Sequence, residues 1–215
     1  NLPDDFKSIK NIVFCGMGGS ALGARMVDSL LVDRLKVPLE IYTEYKLPDY
    51  VFHETLVIVS SYSGNTEETV ESLERALERG AKIFGIATGG KLAQILQEKN
   101  IPRYIFDPVN NPSKQPRMSI GYASGCIFAL LSKIGVITID IHEIEDAVAQ
   151  MEETLRNNSA KNLSEKLEDK FPILVASAHL VGVTHAIKNQ FNESAKTFSV
   201  IFDLPELNHH LMEGL

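Results

Sequence analysis

Within Ser60-Ser61-Tyr62-Ser63-Gly64-Asn65-Thr66, hydroxyls crowd a turn that lies between the apolar run Leu56-Val57-Ile58-Val59 and an amphipathic stretch carrying Val70, Leu73 and Leu77 on one face. A buried strand, a turn and a helix are expected in that order, with Gly80 at the helix C-terminus. The first amides of a helix have no partner inside it and its dipole is positive there, so a phosphate is bound without Arg or Lys. Ser61, Ser63 and Thr66 add hydroxyl donors, and Gly64 lets the backbone close around an anion. In the alternative reading Ser63 or Asn65 only caps the helix, with Glu68 completing a capping box. An anion site further requires Glu67 and Glu68 to point outward.

A second turn, Gly16-Met17-Gly18-Gly19-Ser20, also follows an apolar run. Gly16-x-Gly18-x-x-Ala21 is a loose dinucleotide fingerprint, and Glu40 lies about where a ribose-binding acid falls. The same residues also suit a tight turn that needs glycine. Arg117 suits a phosphate or a developing oxyanion, or caps a surface loop. Glu193 falls late in a helix with Val183, Ile187 and Phe191, where most glutamates are solvated. His209 and His210 are adjacent, and adjacent side chains seldom converge on one ion, so no metal site is expected.

The elements that carry these residues alternate. Strands are expected at 11–15, 38–42, 55–60, 82–87 and 103–106, with helices at 21–31, 66–79 and 92–98 between them. The pattern predicts an α/β fold, a five-stranded parallel sheet flanked by helices, whose ligands bind at the carboxyl ends of the strands. Residues 107–117 carry three prolines and form a loop that delivers Arg117 to an apolar helix over 118–134, expected to be buried between domains or subunits. An amphipathic helix over 141–157, with Ile141, Ile144, Val148, Met151 and Leu155 in one stripe, and a shorter one with Leu163 and Leu167 form a connector. A strand at 171–177, a helix at about 179–196 and a strand at 198–202 then begin a second unit. The expected segments are 1–140, 141–170 and 171–215, the last cut short because one βαβ unit makes no core.

Composition sets limits. The chain has 215 residues, is 44% hydrophobic and carries a net charge of −7, which places it among globular proteins and argues against a nucleic-acid surface. Cys15 and Cys126 make neither a disulfide framework nor a metal-ligand spacing, which fits a reducing, cytoplasmic setting. No apolar run is long enough for a membrane span.

Taken together, Gly16 to Gly23, Ser60 to Thr69, Gln115-Pro116-Arg117, Asn192-Glu193-Ser194-Ala195-Lys196 and Pro205-Glu206-Leu207-Asn208-His209 resemble the bifunctional phosphoglucose/phosphomannose isomerases of the sugar isomerase (SIS) domain superfamily. The resemblance runs through nearly the whole chain in order. It implies tandem SIS domains, a homodimer, and metal- and cofactor-free interconversion of glucose 6-phosphate or mannose 6-phosphate with fructose 6-phosphate. Ser61, Ser63 and Thr66 would hold the phosphate, with Gly18, Gly19 and Ser20 lining the sugar site. Glu193 would be the base, Arg117 would neighbour the developing charge, and His209, donated by the partner subunit, would open the ring. The chain departs from the family pattern in three ways: most of an N-terminal helical segment and a C-terminal Lys have no counterpart, and His210 stands where Asn is commoner. A regulatory SIS module that only senses sugar phosphates would have no use for Glu193 and His209. A nucleotide-binding Rossmann protein would leave the hydroxyl-rich turn unexplained.

Overall fold

The computed structural model describes residues 2–157 and 159–214; Asn1, Leu215 and Asn158 of the expected segments lie outside the described residues. Strands β1 (Asn11–Gly16), β2 (Leu39–Tyr42), β3 (Thr55–Ser61), β4 (Lys82–Ala87) and β5 (Arg103–Ile105) form one parallel sheet in the order β2-β1-β3-β4-β5. All seven residues of β3 are buried, as expected of a central strand in a sheet covered on both faces.

Strand alternation divides the core in two. On one face Ile12, Phe14, Leu56, Ile58 and Ile86 pack with Ala21, Ala24 and Val27 of helix α1 (Gly19–Leu30) and with Ile127, Leu130 and Leu131 of a later helix numbered α4 (Ile120–Lys133). On the other, Val13, Val57 and Val59 pack with Leu73 and Ala76 of α2 (Glu67–Glu78) and with Leu92 and Leu96 of α3 (Gly90–Glu98). The chain leaves β1 for β2 on one side and returns to β3 on the other, so the strand order reverses between β1 and β3. The crevice at their carboxyl ends is the place where such sheets take ligands.

Helix α4 presents Ala123, Ile127, Leu130 and Leu131 to the sheet but leaves Gly121, Gly125 and Ala129 less covered. Within this chain, therefore, α4 is buried on one face. Helices α5 (Ile141–Arg156) and α6 (Ser159–Leu167) follow, and the apolar stripe of α5 is exposed, Leu155 at 80%. The last part of the chain pairs β6 (Ile173–Ser177) with β7 (Val200–Leu204) in parallel around α7 (Val181–Glu193). Helix α7 packs on α1, and Gly182 N–H donates to Ser29 Oγ at 3.0 Å where they meet. A single helical turn, α8 (Leu207–His210), carries the two adjacent histidines. No helix among the described residues is long and apolar enough to cross a membrane.

Candidate active site

The turns after β1 and β3 are fastened to each other. Gly16 and Ser60 are register partners in the sheet, and just beyond them Tyr62 N–H donates to Ser20 Oγ at 2.9 Å while Ser60 Oγ donates to the Ser20 carbonyl at 3.3 Å. Gly18, at φ 49, turns the chain so that α1 starts at Gly19. Gly19 then lies flat against the next part of the site: a Cβ there would fall 2.5 Å from the backbone nitrogen of Arg117. The glycine turn is thus the surface on which residues 116–117 rest.

Inside the hydroxyl-rich turn Ser61 is buried, and its Oγ lies 2.8 Å from Thr66 Oγ1 while accepting Gly64 N–H at 3.0 Å. Ser63 is exposed and accepts Asn65 N–H at 3.2 Å. The alternative expectation, a cap from Ser63 or Asn65, does not form. The N-cap of α2 is Thr66, which makes no side-chain cap bond. Asn65 instead turns its Oδ1 to Lys91 N–H at 3.0 Å, and the Gly64 carbonyl accepts Leu92 N–H at 2.8 Å. These two acceptors close the N-terminus of α3. At α2 the outcome differs: among the described residues the amides of Glu67 and Glu68 have no hydrogen-bond partner. An open helix start beside Thr66 and Ser63 has the donors and the dipole to seat an anion. Glu67 is exposed, and Glu68 lies beside Tyr45, whose phenol its negative charge shifts to higher pKa.

The proline-bearing loop reaches this crevice because a buried Asn111 organises it. Its Nδ2 donates to Tyr62 Oη at 3.2 Å and to the Gln115 carbonyl at 2.9 Å, and its Oδ1 accepts Ser113 Oγ at 2.6 Å. One side chain thereby ties the serine turn to the loop that ends in Arg117. There Arg117 Nη1 donates to Gln115 Oε1 at 3.0 Å and to Glu193 Oε2 at 3.1 Å. Its Nε donates to Ser194 Oγ at 3.0 Å. Glu193 is the last residue of α7, where the helix ends before the expected position 196; Lys196 adopts φ 56.

Of the residues singled out from sequence, Gly18, Gly19, Ser20, Ser61, Ser63, Thr66, Arg117 and Glu193 are linked through direct contacts or shared turns. His209 is not joined to them: it is exposed on α8, and His210 Nε2 lies 3.7 Å from Glu206 Oε1. Sequence reasoning missed Asn111, Gln190 and Ser194. Gln190 and Ser194 are one helical turn apart and flank Glu193, so helical spacing was the available signal. Asn111 carried none. Cys15 and Cys126 are free thiols, and burial pushes each up to about 12. No group of His, Cys, Asp and Glu suited to a metal ion occurs among the described residues.

Residues 5–110 match the SIS domain, and residues 156–215 match the bacterial phospho-glucose isomerase C-terminal SIS domain. The bifunctional phosphoglucose/phosphomannose isomerase of Caldicellulosiruptor bescii is 35% identical over 97% of this chain and 63% of its own length. That of Aquifex aeolicus is 31% identical over 100% of this chain and 65% of its own. The chain thus spans just under two thirds of these curated relatives. Tagatose-6-phosphate ketose/aldose isomerase from Escherichia coli shares the fold at a TM-score of 0.70 and 17% identity, over 97% of this chain and 60% of that one. Both matched domains are SIS domains, and over nearly its whole length the chain is similar to the bifunctional phosphoglucose/phosphomannose isomerases.

Proposed function

We propose that the protein is an aldose–ketose isomerase that interconverts glucose 6-phosphate, mannose 6-phosphate or both with fructose 6-phosphate through a cis-enediolate. The observation that carries this reading is the Arg117–Glu193 contact at 3.1 Å, placed beside a glycine turn that is itself fastened to an open helix start. One end of that arrangement suits a phosphate and the other a proton transfer.

The chemistry follows from the groups. Ser63, Thr66 and the free amides of α2 hold the phosphate, Ser61 orients Thr66, and Gly18, Gly19 and Ser20 line the sugar chain. The Glu193 carboxylate removes the proton on C2, the bonding pair forms C1=C2, and the carbonyl oxygen gains negative charge that Arg117 stabilises. The proton returns from Glu193 to C1 as the C2 oxygen becomes the carbonyl and loses its own proton to O1. A general base so placed contributes about 10²–10⁴-fold. His209 assists ring opening from the partner subunit of a homodimer, consistent with its exposure on α8. On this reading 1–140 is the first SIS domain, 141–170 a helical connector and 171–215 the start of the second, in a cytoplasmic enzyme.

Glu193→Gln tests the assignment. Turnover of both aldose phosphates in a coupled assay is expected to vanish while fructose 6-phosphate still binds by titration. Retained turnover removes Glu193 from the role.

A further inference from the structure

Helix α1 is the common surface against which both halves of the site are set. At its first residue Gly19 lies flat on residues 116–117, so that a Cβ there would fall 2.5 Å from the Arg117 nitrogen. Further along α1, helix α7 meets it with no side chain between the two backbones: a Cβ on Gly182 would fall 2.0 Å from the Arg25 carbonyl oxygen and 2.3 Å from Ser29 Oγ. Gly182 is helical and has no positive φ, so glycine is demanded there by space and not by backbone angle. The contact is fastened by Gly182 N–H donating to Ser29 Oγ at 3.0 Å, while the Ser29 hydroxyl is shared between the Met26 and His179 carbonyls at 3.3 Å each. From Gly182 the helix runs about three turns, roughly 16 Å, to Glu193 at its last position. Near that end Gln190 Nε2 donates to the Arg117 carbonyl at 2.8 Å, and Glu193 Oε2 accepts Arg117 Nη1 at 3.1 Å. Arg117 and Glu193 thus each take their position from α1, through a backbone contact that a glycine makes possible.

We propose that Gly182 is a positioning residue for the proton transfer: by lacking a side chain it sets the spacing of α7 on α1 and, through the length of the helix, the placement of the Glu193 carboxylate against Arg117. The proposal rests on the isomerase reading for its kinetic consequence, while its structural consequence stands apart from it. A backbone carbonyl cannot turn aside as the end of a flexible side chain can, and ordinary contact lies about 1 Å or more beyond the 2.0 Å available, so a methyl group at 182 lifts α7 from α1. The seat proposed for the phosphate, on the turn between β3 and α2, lies outside this contact.

Gly182→Ala tests this in crystals and in turnover. In crystals, compared with the unsubstituted protein, α7 is expected to stand off α1 and the Arg117–Glu193 contact to open beyond about 3.5 Å, the reach of a hydrogen bond; a contact kept at its parent length overturns the proposal whatever the activity. In the coupled assay kcat, counted per fructose 6-phosphate site found by titration, is expected to fall on the order of a hundredfold, the scale of a 1 Å misplacement, with Kd for fructose 6-phosphate nearly unchanged. A loss of stability alone removes sites without slowing those that remain, so an unchanged turnover per site overturns the proposal. Where Gly182→Ala gives no cooperative melt, Ser29→Ala decides. It withdraws the acceptor of the Gly182 amide and adds no atom, and kcat per site is expected to fall roughly three- to tenfold for the smaller displacement; a parental kcat overturns the proposal. Absence of turnover by the unsubstituted protein sinks the isomerase reading instead, with the crystallographic arm still decisive for Gly182.

Discussion

Gly64 and the Gly89 carbonyl approach so closely that a Cβ on Gly64 would fall 1.8 Å from the Gly89 oxygen. The turn after β3 and the turn after β4 are therefore packed backbone to backbone, and Gly64 also sits at φ 71. Gly64→Ala is expected to lower stability by about 2–3 kcal/mol, combining clash with a left-handed backbone. Gly18 also has positive φ, and at ψ -125 it lies outside the left-handed helical region that side chains tolerate, so Gly18→Ala is expected to cost about 2–3 kcal/mol through backbone strain although nothing lies within 4 Å of the place its Cβ would take. Thermal unfolding of the two variants side by side checks both losses; a variant that melts with the parent removes the backbone argument at that glycine.

Ser63→Ala combined with Thr66→Ala leaves the Arg117–Glu193 contact untouched and removes two hydroxyls at the open start of α2. KM for a sugar phosphate is expected to rise roughly 10- to 100-fold, the scale of losing hydrogen bonds to a charged group, with kcat nearly preserved. An unchanged KM in steady-state assays counts against the phosphate seat.

Asn111 is 2% exposed and joins Tyr62 to Gln115. Asn111→Ala leaves buried acceptors without donors and is expected to cost about 2 kcal/mol. Because the same side chain steers residues 113–117, kcat is expected to fall as well. Thermal melts and turnover measured on one preparation separate the two effects; a variant as stable and as active as the parent removes Asn111 from this role.

His185 lies on α7, the helix that packs on α1. Burial, with the cations Arg25 and Lys188 nearby, lowers its pKa from 6.5 to about 4. The unfolded chain takes up this proton below about 6.5 while the folded one does not until about 4, so the contribution to stability is complete above the unfolded value and is lost as pH falls toward the folded one. The drop in melting temperature between those two pH values is expected to be smaller in His185→Gln. Equal drops in the two proteins overturn the assignment.

The short-range patterns in the sequence were enough for the elements. Runs such as Leu56–Val59 followed by Ser60 to Thr66 name a buried strand and its turn, since periodicity and turn chemistry act over neighbouring residues. The order of strands and helices implied a parallel sheet with its ligands at the carboxyl ends, and the fold carries both turns there. The motifs also named Arg117 and Glu193 before anything placed them together.

What only the tertiary structure decided is how the groups share their hydrogen bonds. Asn65 closes α3 rather than capping α2, because the β4 turn packs under it, and that contact joins residues 26 positions apart. The stripe on α5 has a helical period in the sequence and yet stays exposed, since periodicity says which residues share a face and not what covers it. Arg117 and Glu193 lie 76 positions apart. Their single-point contact follows from the packing of α7 on α1 and of Gly19 on residues 116–117, distances set by close-packed backbones that no local pattern encodes.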